Sequence, residues 1–263
     1  MSHATQNNRV QFKSKKEKFA IVIPTYNHHR KVRDVIQSAL SLKLPIFVID
    51  DGSLDLTHEK IKDIPGIHII RHKKNLGKGA AIMTGFAEAA RNADWVITID
   101  ADGQHDPGDA SKLMKAAIKA PGAIIVGMRM GMDGAHVHWT SRFGRQFSNF
   151  WVWISGGPKL CDSQSGFRIY PLPESMNLDV KSKRFEFEVE ILVLANRLRI
   201  PVIEVPVNVN YDPAGERISH FRPWMDFFRN TRTFSRLIVE RILLKPFFKR
   251  RKKKAGYEKL NFF

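Results

Sequence analysis

The sequence predicts an α/β fold in which helices cover both faces of a mostly parallel sheet. Five short runs are rich in Val and Ile and nearly continuous in apolar residues, as interior strands are. Stretches of helical character separate them, and this alternation indicates right-handed βαβ units. A length of 263 residues with 43% hydrophobic content suits one large domain with appended segments.

The predicted elements alternate through the first half of the chain. The strands cover residues 19–23, 46–49, 67–70, 95–99 and 123–126, and the helices cover 30–42, 55–62, 77–91 and 108–119. Asn75 and Gly77 stand where the third helix begins, and Pro107 suits the first turn of the fourth. Residues 127–158 are rich in Gly, Met and aromatic residues and need not join the sheet. A helix over 184–198 and a strand over 202–210 follow.

The C-terminal part is predicted to be an amphipathic helix followed by a basic tail. Over residues 223–245, apolar side chains fall near one face and most charged ones lie elsewhere. Six consecutive basic residues occupy 249–254. We therefore predict four parts: a flexible basic segment over 1–18, the α/β domain over 19–222, an amphipathic membrane-associating segment over 223–248 and a polybasic tail over 249–263.

The net charge of +17 is concentrated at the two ends of the chain. Residues 241–259 hold nine Lys or Arg against one Glu, and residues 9–18 hold five against one. Nucleic acid or an anionic membrane could each attract such ends. No run approaches the roughly 20 apolar residues of a spanning helix, and the N-terminus lacks the apolar core of a signal peptide. A single cysteine, Cys161, excludes an internal disulfide and favours a reducing, cytoplasmic setting.

The most informative motif is a pair of carboxylates directly after the fourth predicted strand. Asp100 and Asp102 alternate, so on an extended backbone they project to the same side. The carboxyl ends of strands are where open α/β sheets bind ligands. Carboxylate oxygens suit Mg²⁺ or Mn²⁺, which usually bring phosphates with them. A lone Asp-x-Asp would more often be a solvated acidic turn, so the rest of the chain has to decide.

Five local patterns occur in a fixed order and together carry a resemblance to a known family. They are Ile23-Pro-Thr-Tyr-Asn27, Asp50-Asp-Gly-Ser53, Asn75-Leu-Gly-Lys-Gly79, Asp100-Ala-Asp-Gly-Gln104 and Asp162-Ser-Gln-Ser-Gly-Phe-Arg168. Over about residues 19–221 the chain resembles the inverting family 2 glycosyltransferases, and most closely their polyprenyl-phosphate sugar synthase branch. The resemblance implies a GT-A fold, a Rossmann-like sheet that binds a nucleotide-sugar in its N-terminal half.

The resemblance implies a donor site and a metal site. The metal would be Mg²⁺ or Mn²⁺, held by Asp100, Asp102 and Gln104. Lys78, near a helix N-terminus, could face the diphosphate, where the helix dipole also favours negative charge. A solvated lysine, and a simple turn at Asp51, are the structural alternatives. The expected nucleotide-sugar-binding residues are Pro24, Tyr26, Asn27, Asp51, Gly52, Ser53, Lys78 and Asp100.

The resemblance also implies an acceptor site. In the branch, arginines at the positions of Arg129 and Arg142 hold the acceptor's phosphate. This task suits the charge and the forked donors of a guanidinium. Ser165, Gly166 and Arg168 are expected in a loop near the sugar and acceptor. His220 stands where the branch has Lys, and His28 stands where the family commonly has Glu. The expected acceptor-phosphate residues are Arg129, Arg142, Ser165, Arg217 and His220.

The acceptor decides how much acid–base chemistry is needed. A phosphate monoester, with a second pKa of about 6, is already a dianionic nucleophile at neutral pH. A hydroxyl acceptor would need a general base, for which Asp162 or Glu186 could serve. Glu188 shares the helix that the family turns toward its active site. The expected catalytic residues are Asp100, Asp102, Arg129, Arg142, Asp162 and Glu186.

Three classes of function remain open at this level. The first is transfer of a sugar to a lipid phosphate, and the second is transfer to another acceptor or nucleotidyl transfer. The third is nucleic-acid binding, which predicts aromatic residues within the basic segments, whereas 249–254 contain none. We therefore expect a nucleotide-sugar donor, a lipid-phosphate or other membrane lipid acceptor, an anionic membrane surface as partner, no nucleic acid, and a peripheral location on the cytoplasmic face.

Overall fold

The computed structural model describes the backbone of residues 17–131, 139–209 and 223–254, and within these ranges the side chains outside 139–141, 223–227 and 244–254. Its strands are β1 Phe19–Thr25, β2 Ile46–Asp50, β3 Ile67–Arg71, β4 Trp95–Thr98, β5 Ile124–Arg129, β6 Arg168–Pro171 and β7 Val202–Val207. Its helices are α1 Val32–Leu40, α2 Thr57–Ile61, α3 Lys78–Ala89, α4 Ala110–Lys119, α5 Trp139–Ile154, α6 Phe187–Arg197 and α7 Pro223–Lys254. A short 3₁₀ turn, Pro107–Asp109, leads into α4.

The seven strands form one sheet in the order β3-β2-β1-β4-β6-β5-β7. All neighbouring pairs are parallel except those of β6, which is antiparallel to both β4 and β5. The predicted α/β class and the mostly parallel sheet are confirmed. The carboxyl ends of β1, β2, β4 and β5 therefore meet at one edge, where ligands bind in such sheets.

The sheet is buried on both faces, as its nearly continuous apolar strands predict. Along β1, Ile21 and Ile23 join one core cluster with α1 and α4, while Ala20 and Val22 join the other with α3 and α6. The alternation follows from the two-residue period of a strand. A smaller third cluster joins α5, α6 and α7 around Val152, Val189, Val193, Phe234 and Leu237.

One prediction about the second half was wrong, because Arg168 does not lie in a loop. It begins β6, and its side chain is fully buried. A four-residue strand that begins with a charged residue has no apolar run to reveal it, and its pairing partners are distant in sequence. The predicted C-terminal helix is continuous from residue 223 to 254. It therefore crosses the boundary that the sequence predicts at residue 248. Residues 1–16 and 255–263 of the predicted terminal segments lie outside the described residues.

Candidate active site

The end of β1 and the end of β2 are tied together by reciprocal hydrogen bonds. The Asn27 backbone N–H donates to the Ser53 hydroxyl at 3.0 Å, and the Leu54 N–H donates to the Asn27 side-chain carbonyl at 2.9 Å. Asn27 takes a positive φ of 54°, a conformation that asparagine tolerates better than most residues. Pro24 lies in β1 and Tyr26 follows it. The two N-terminal motifs are therefore held together at the edge of the sheet.

Asp51, in the second of these motifs, is buried. Its carboxylate accepts hydrogen bonds from the N–H groups of Leu76 at 2.9 Å and Gly77 at 2.7 Å, and it lies 2.7 Å from the Nδ1 atom of His72. Gly52 has a φ of +73°, and a Cβ atom there would collide with the Lys74 backbone. The carboxylate thus fixes the loop that leads into α3. The family resemblance implies that Asp51 lines the nucleotide pocket, and that role stays a prediction.

His72 belongs to the same cluster, although no sequence pattern indicates it. Its Nδ1 atom contacts Asp51, and its Nε2 atom lies 3.0 Å from the Thr84 hydroxyl on α3. The ring therefore connects the end of β2 to the helix that carries Lys78. A histidine two residues before a Lys-Asn pair carries no pattern of its own, so only the tertiary contact reveals it.

Lys78, the first residue of α3, joins two carboxylates that are far apart in the sequence. Its Nζ atom lies 2.7 Å from Asp100 Oδ1 and 2.5 Å from Glu188 Oε1. Burial by itself would lower the pKa of Lys78, but the charges of Asp100 and Glu188 outweigh it and raise that pKa. Burial would likewise raise the pKa of Asp100, and the Lys78 ammonium lowers it. Both groups are therefore charged at neutral pH, and the solvated-lysine alternative is wrong.

A glycine allows Asp100 to occupy this position. The carboxylate of Asp100 packs over Gly166, so that a Cβ atom at Gly166 would collide with it. The Thr98 hydroxyl, at the end of β4, donates to the Gly166 carbonyl at 2.7 Å. The Ser-Gly motif of the second half is thus explained by close approach of the backbone to the Asp-x-Asp segment.

Asp102 and Gln104 lie half-buried on the turn that follows Asp100. The Gln104 N–H donates to Asp102 Oδ1 at 3.0 Å, which fixes the turn. Within the described ranges, no group of three His, Cys, Asp or Glu residues is arranged to hold a metal ion by itself. Two carboxylates and an amide oxygen nevertheless fit Mg²⁺ or Mn²⁺, which commonly bind one or two protein carboxylates and complete their coordination with phosphates and water.

Arg129, the last residue of β5, is held by Asp162 through a two-pronged contact. Its Nε and Nη2 atoms donate to the two carboxylate oxygens at 2.7 and 2.9 Å. Asp162 is fully buried, which would raise its pKa, but the hydrogen bonds and charge of Arg129 lower it. Glu204 of β7 in turn accepts the Asp162 N–H at 2.7 Å. Asp162 therefore stays ionised and orients Arg129, an arrangement poorly suited to a general base.

The buried side chain of Arg168 holds the loop between Asp162 and Gly166 through hydrogen bonds. It donates to the carbonyls of Ser163 at 2.8 Å and Ser165 at 2.6 Å, and to the Glu188 carbonyl at 2.8 Å. These bonds attach the loop to the first turn of α6. The expectation that Arg168 lies in a loop is therefore wrong, and its expected position near the sugar stays a prediction.

The remaining expected residues lie in the loop before β6, at the start of α6 and in α5, or outside the described residues. Glu186 is buried at the N-terminal cap position of α6, Ser165 is buried in the loop that Arg168 braces, and Arg142 is half-buried in the first turn of α5. Arg217 and His220 lie outside the described residues.

His105 directly follows the Asp-x-Asp-Gly-Gln motif. It is buried, its ring lies 5.2 Å from that of Phe167, and burial lowers its pKa to about 4. The charges of Asp100 and Asp162 oppose this lowering of the pKa, and those of Arg129 and Lys78 add to it. The packing of its ring gives His105 a structural role.

The comparisons with known proteins agree with this fold. The model of the family "Glycosyl transferase family 2" matches residues 20–171, which is more than half of the chain, so the chain belongs to this family. A UDP-N-acetylglucosamine–dolichyl-phosphate N-acetylglucosaminyltransferase of Methanococcus voltae is 28% identical over 73% of this chain and 85% of its own. An undecaprenyl-phosphate mannosyltransferase of Micrococcus luteus is 28% identical over 74% and 84%.

A solved structure supports the fold. Glucosyl-3-phosphoglycerate synthase of Mycobacterium tuberculosis, crystallised with Mn²⁺, UDP and glucosyl-3-phosphoglycerate, superimposes with a TM-score of 0.66 over 86% of this chain and 80% of that one. At 18% identity this likeness concerns the fold alone. The protein is therefore a family 2 glycosyltransferase with a GT-A fold.

Proposed function

We propose that this enzyme transfers a hexose from a nucleotide-sugar, with GDP or UDP as the nucleotide, to a polyprenyl phosphate in a membrane. The observation that carries the proposal is the convergence of two charged groups at one sheet edge. One is the Lys78–Asp100–Glu188 cluster, and the other is the ion pair between Arg129 and Asp162. The names of the relatives, which act on dolichyl or undecaprenyl phosphate, support both the hexosyl group and the acceptor class.

The donor side is suited to a diphosphate. Asp100, Asp102 and Gln104 would hold Mg²⁺ or Mn²⁺, which neutralises the negative charge of the departing nucleotide when bound. Lys78 adds a fixed positive charge at the first turn of α3, whose dipole also favours anions. Glu188 keeps that ammonium in place. The buried Asp51 holds the loop that precedes it, so the backbone of Asn75–Gly77 is presented in one conformation.

The acceptor side favours a phosphate over a hydroxyl. Arg129 offers a guanidinium that Asp162 has already oriented, and such pre-orientation lowers the entropic cost of positioning the attacking oxygen. Asp162 is buried and ionised, and both of its carboxylate oxygens accept hydrogen bonds from Arg129. It therefore does not serve as the base that a hydroxyl would need. In the proposed reaction a phosphate oxygen bonds to the anomeric carbon as the bond to the diphosphate breaks, with inversion. Glu186 remains the candidate base for the alternative, a hydroxyl acceptor on a glycolipid.

The membrane setting belongs to the same proposal. No helix in the described part of the chain is both long and apolar enough to cross a bilayer. We propose peripheral association with the cytoplasmic face, where anionic lipids would attract the basic C-terminal segment.

A donor screen tests the function. GDP- and UDP-sugars are supplied with Mn²⁺ or Mg²⁺ and a polyprenyl phosphate, and the lipid product is identified by mass spectrometry. The proposal expects a hexosyl phosphodiester, no product from the corresponding dephosphorylated polyprenol, and no transfer in excess chelator. Product from the free alcohol would instead support the hydroxyl alternative.

Asp102→Ala provides the matched variant for this screen. Because Asp102 is half-buried on a turn, we expect transfer to fall by at least about a thousandfold while the melting temperature changes little. Asp179→Ala, at an exposed site, is the control and should retain full activity. Full activity of Asp102→Ala would contradict the proposed metal site.

A further inference from the structure

Helix α5 has a composition unlike that of any other helix in the described chain. Six of its 16 residues are aromatic, none is acidic, and it holds three of the five tryptophans of the protein. A helix that only packed against a core would need an apolar stripe on one side alone. The aromatic residues of α5 are too many for that purpose.

The excess aromatic side chains are exposed to solvent. Phe143, Phe150 and Trp153 are 59%, 52% and 44% exposed, whereas Val152 on the opposite side is fully buried against α6 and α7. Phe143 stacks on Phe147 with 6.1 Å between ring centroids, and Phe150 lies 6.4 Å from Trp153. We name Phe143, Phe147, Phe150 and Trp153 the aromatic ridge.

Basic groups border the ridge at its C-terminal end. The Lys159 ammonium lies 5.2 Å from the centre of the Trp153 ring. Arg241 of α7 donates to the carbonyl of Ile154, the last residue of α5. The next two residues of α7, Ile242 and Leu243, are 63% and 66% exposed. Aromatic, aliphatic and cationic side chains thus meet where the two helices touch.

We propose that the aromatic ridge, with Ile242 and Leu243 beside it, is the surface that docks on an anionic lipid bilayer. Phenylalanine and tryptophan with flanking lysine and arginine is the composition that favours the bilayer interface, where rings bury apolar area and cations meet lipid phosphates. The absence of any acidic residue on α5 gives the charge complementarity that an anionic surface requires. This inference builds on the proposed lipid-borne acceptor, to which such a surface would bring the active site.

The ridge and the basic tail make different contributions to membrane binding. Attraction between lysine or arginine and anionic lipid is screened by salt, whereas burial of aromatic rings is not. The ridge is therefore the part of the interaction that survives high ionic strength.

Vesicle flotation with the full-length chain tests the inference. The triple variant Phe143→Ser, Phe150→Ser and Trp153→Ser is compared with a matched control, Leu54→Ser, Ile118→Ser and Leu198→Ser, at sites that are 87%, 54% and 53% exposed. We expect the partition coefficient onto phosphatidylglycerol–phosphatidylcholine vesicles at high salt to fall at least about tenfold for the ridge variant and to stay unchanged for the control. Equal binding of wild type and ridge variant would overturn the inference.

A second measurement follows tryptophan fluorescence. Brominated lipids quench tryptophans that enter the bilayer, so wild-type fluorescence should fall on brominated vesicles and should fall less for Trp153→Phe. Equal quenching in both proteins would refute insertion at Trp153. Trp95, which is 4% exposed in the core, provides an unquenched background.

The remaining outcomes separate this inference from its rivals and from the proposed function. If the ridge instead covers a second copy of the chain, sedimentation will show a dimer that the ridge variant dissociates, and bilayer docking is refuted. If the proposed acceptor is right, the ridge variant will keep transfer to a short-chain polyprenyl phosphate in detergent and lose transfer to one in vesicles. If the wild-type protein binds vesicles and the ridge variant does not, but the wild type transfers sugar to neither acceptor, the result counts against the proposed function alone.

Discussion

Gly166 illustrates how much a single residue controls at this site. Its missing side chain leaves the space that the Asp100 carboxylate occupies, and its carbonyl accepts the Thr98 hydroxyl. Asp100 can therefore approach Lys78 only because residue 166 has no Cβ atom. The same clash would not arise at a glycine facing open space.

Gly166→Ala should inactivate the enzyme without unfolding it. Because the new Cβ atom must push Asp100 away, we expect transfer activity to fall at least about a hundredfold, since misplacing a reacting group by about 1 Å has an effect of that size. Gly144→Ala is the control, because a Cβ atom at that position on α5 meets nothing. It should keep full activity and gain up to about 1 kcal/mol of stability. Equal activity of the two variants would show that the Asp100–Gly166 contact is unimportant.

The Lys78 ammonium bridges Asp100 and Glu188, and the second contact is testable. In Glu188→Gln the ammonium keeps only Asp100 as an anionic partner, so Asp100 is less available to a metal ion. We expect the Kd for UDP or GDP with Mn²⁺ to rise about tenfold, equivalent to about 1.4 kcal/mol. Calorimetry measures this directly. Glu174→Gln, at an exposed site, should bind as wild type does, and an unchanged Kd for Glu188→Gln would argue against the bridge.

At the scale of elements, α7 is attached to the catalytic domain through α6. Glu190 of α6 is fully buried and accepts the N–H groups of Lys181 and Ser182, while Arg236 of α7 approaches it at 2.8 Å. Phe234 and Leu237 pack beside this ion pair against Val189 and Val193. The attachment combines apolar burial with one buried charge that needs its partner.

Arg236→Ala should loosen α7. Removing one partner of a buried pair leaves an uncompensated charge, and with two backbone bonds remaining we expect a loss of about 2 kcal/mol in the free energy of unfolding. Arg232→Ala, at an exposed position on the same helix, should change it by less than about 0.5 kcal/mol. Chemical denaturation measures both, and equal losses would refute a specific role of the pair.

The pH dependence of this difference has a defined sign. Burial would raise the pKa of Glu190, but hydrogen bonds from Ser182 and Arg236 outweigh it and lower that pKa below its ordinary value of 4.5. The stabilisation is therefore fully present above pH 4.5 and disappears as the pH falls through the lowered pKa. The stability of wild type and Arg236→Ala should converge in acid. A difference that stays constant down to the acid transition would contradict this.

At the scale of the whole molecule, the basic excess lies at the ends of the chain and the proposed active site lies at the sheet edge. Removal of residues 246–263 deletes seven lysines or arginines, each contributing about 1 kcal/mol near an anionic bilayer. We expect binding to anionic vesicles at low salt to weaken at least a hundredfold, roughly, and activity on a short-chain acceptor in detergent to persist.

A shorter deletion is the matched control for the tail. Removal of residues 255–263 takes away one lysine and one glutamate and therefore leaves the net charge unchanged. Flotation at low salt should show binding close to that of the full chain. If the longer deletion binds equally well, the anchoring role of the basic residues is wrong.

The fold class, the five strands of the first half, β7 and the places of the motifs proposed for the donor and the metal can all be predicted from the sequence alone. These signals are local, because apolar periodicity and Asp-x-Asp at a strand end can be read from neighbouring residues. The strand β6 was missed, since four residues beginning with a buried arginine carry no such period, and only pairing with β4 and β5 stabilises them.

The contacts between the motifs become visible only in the folded chain. The sequence offered Asp162 and Glu186 as bases and Lys78 as a diphosphate contact, but it could not show that Asp162 grips Arg129 or that Glu188 joins Lys78 to Asp100. Each of these contacts joins residues from different strands and helices. Their energies depend on burial and on distances of about 3 Å, which chain folding creates and no local pattern encodes.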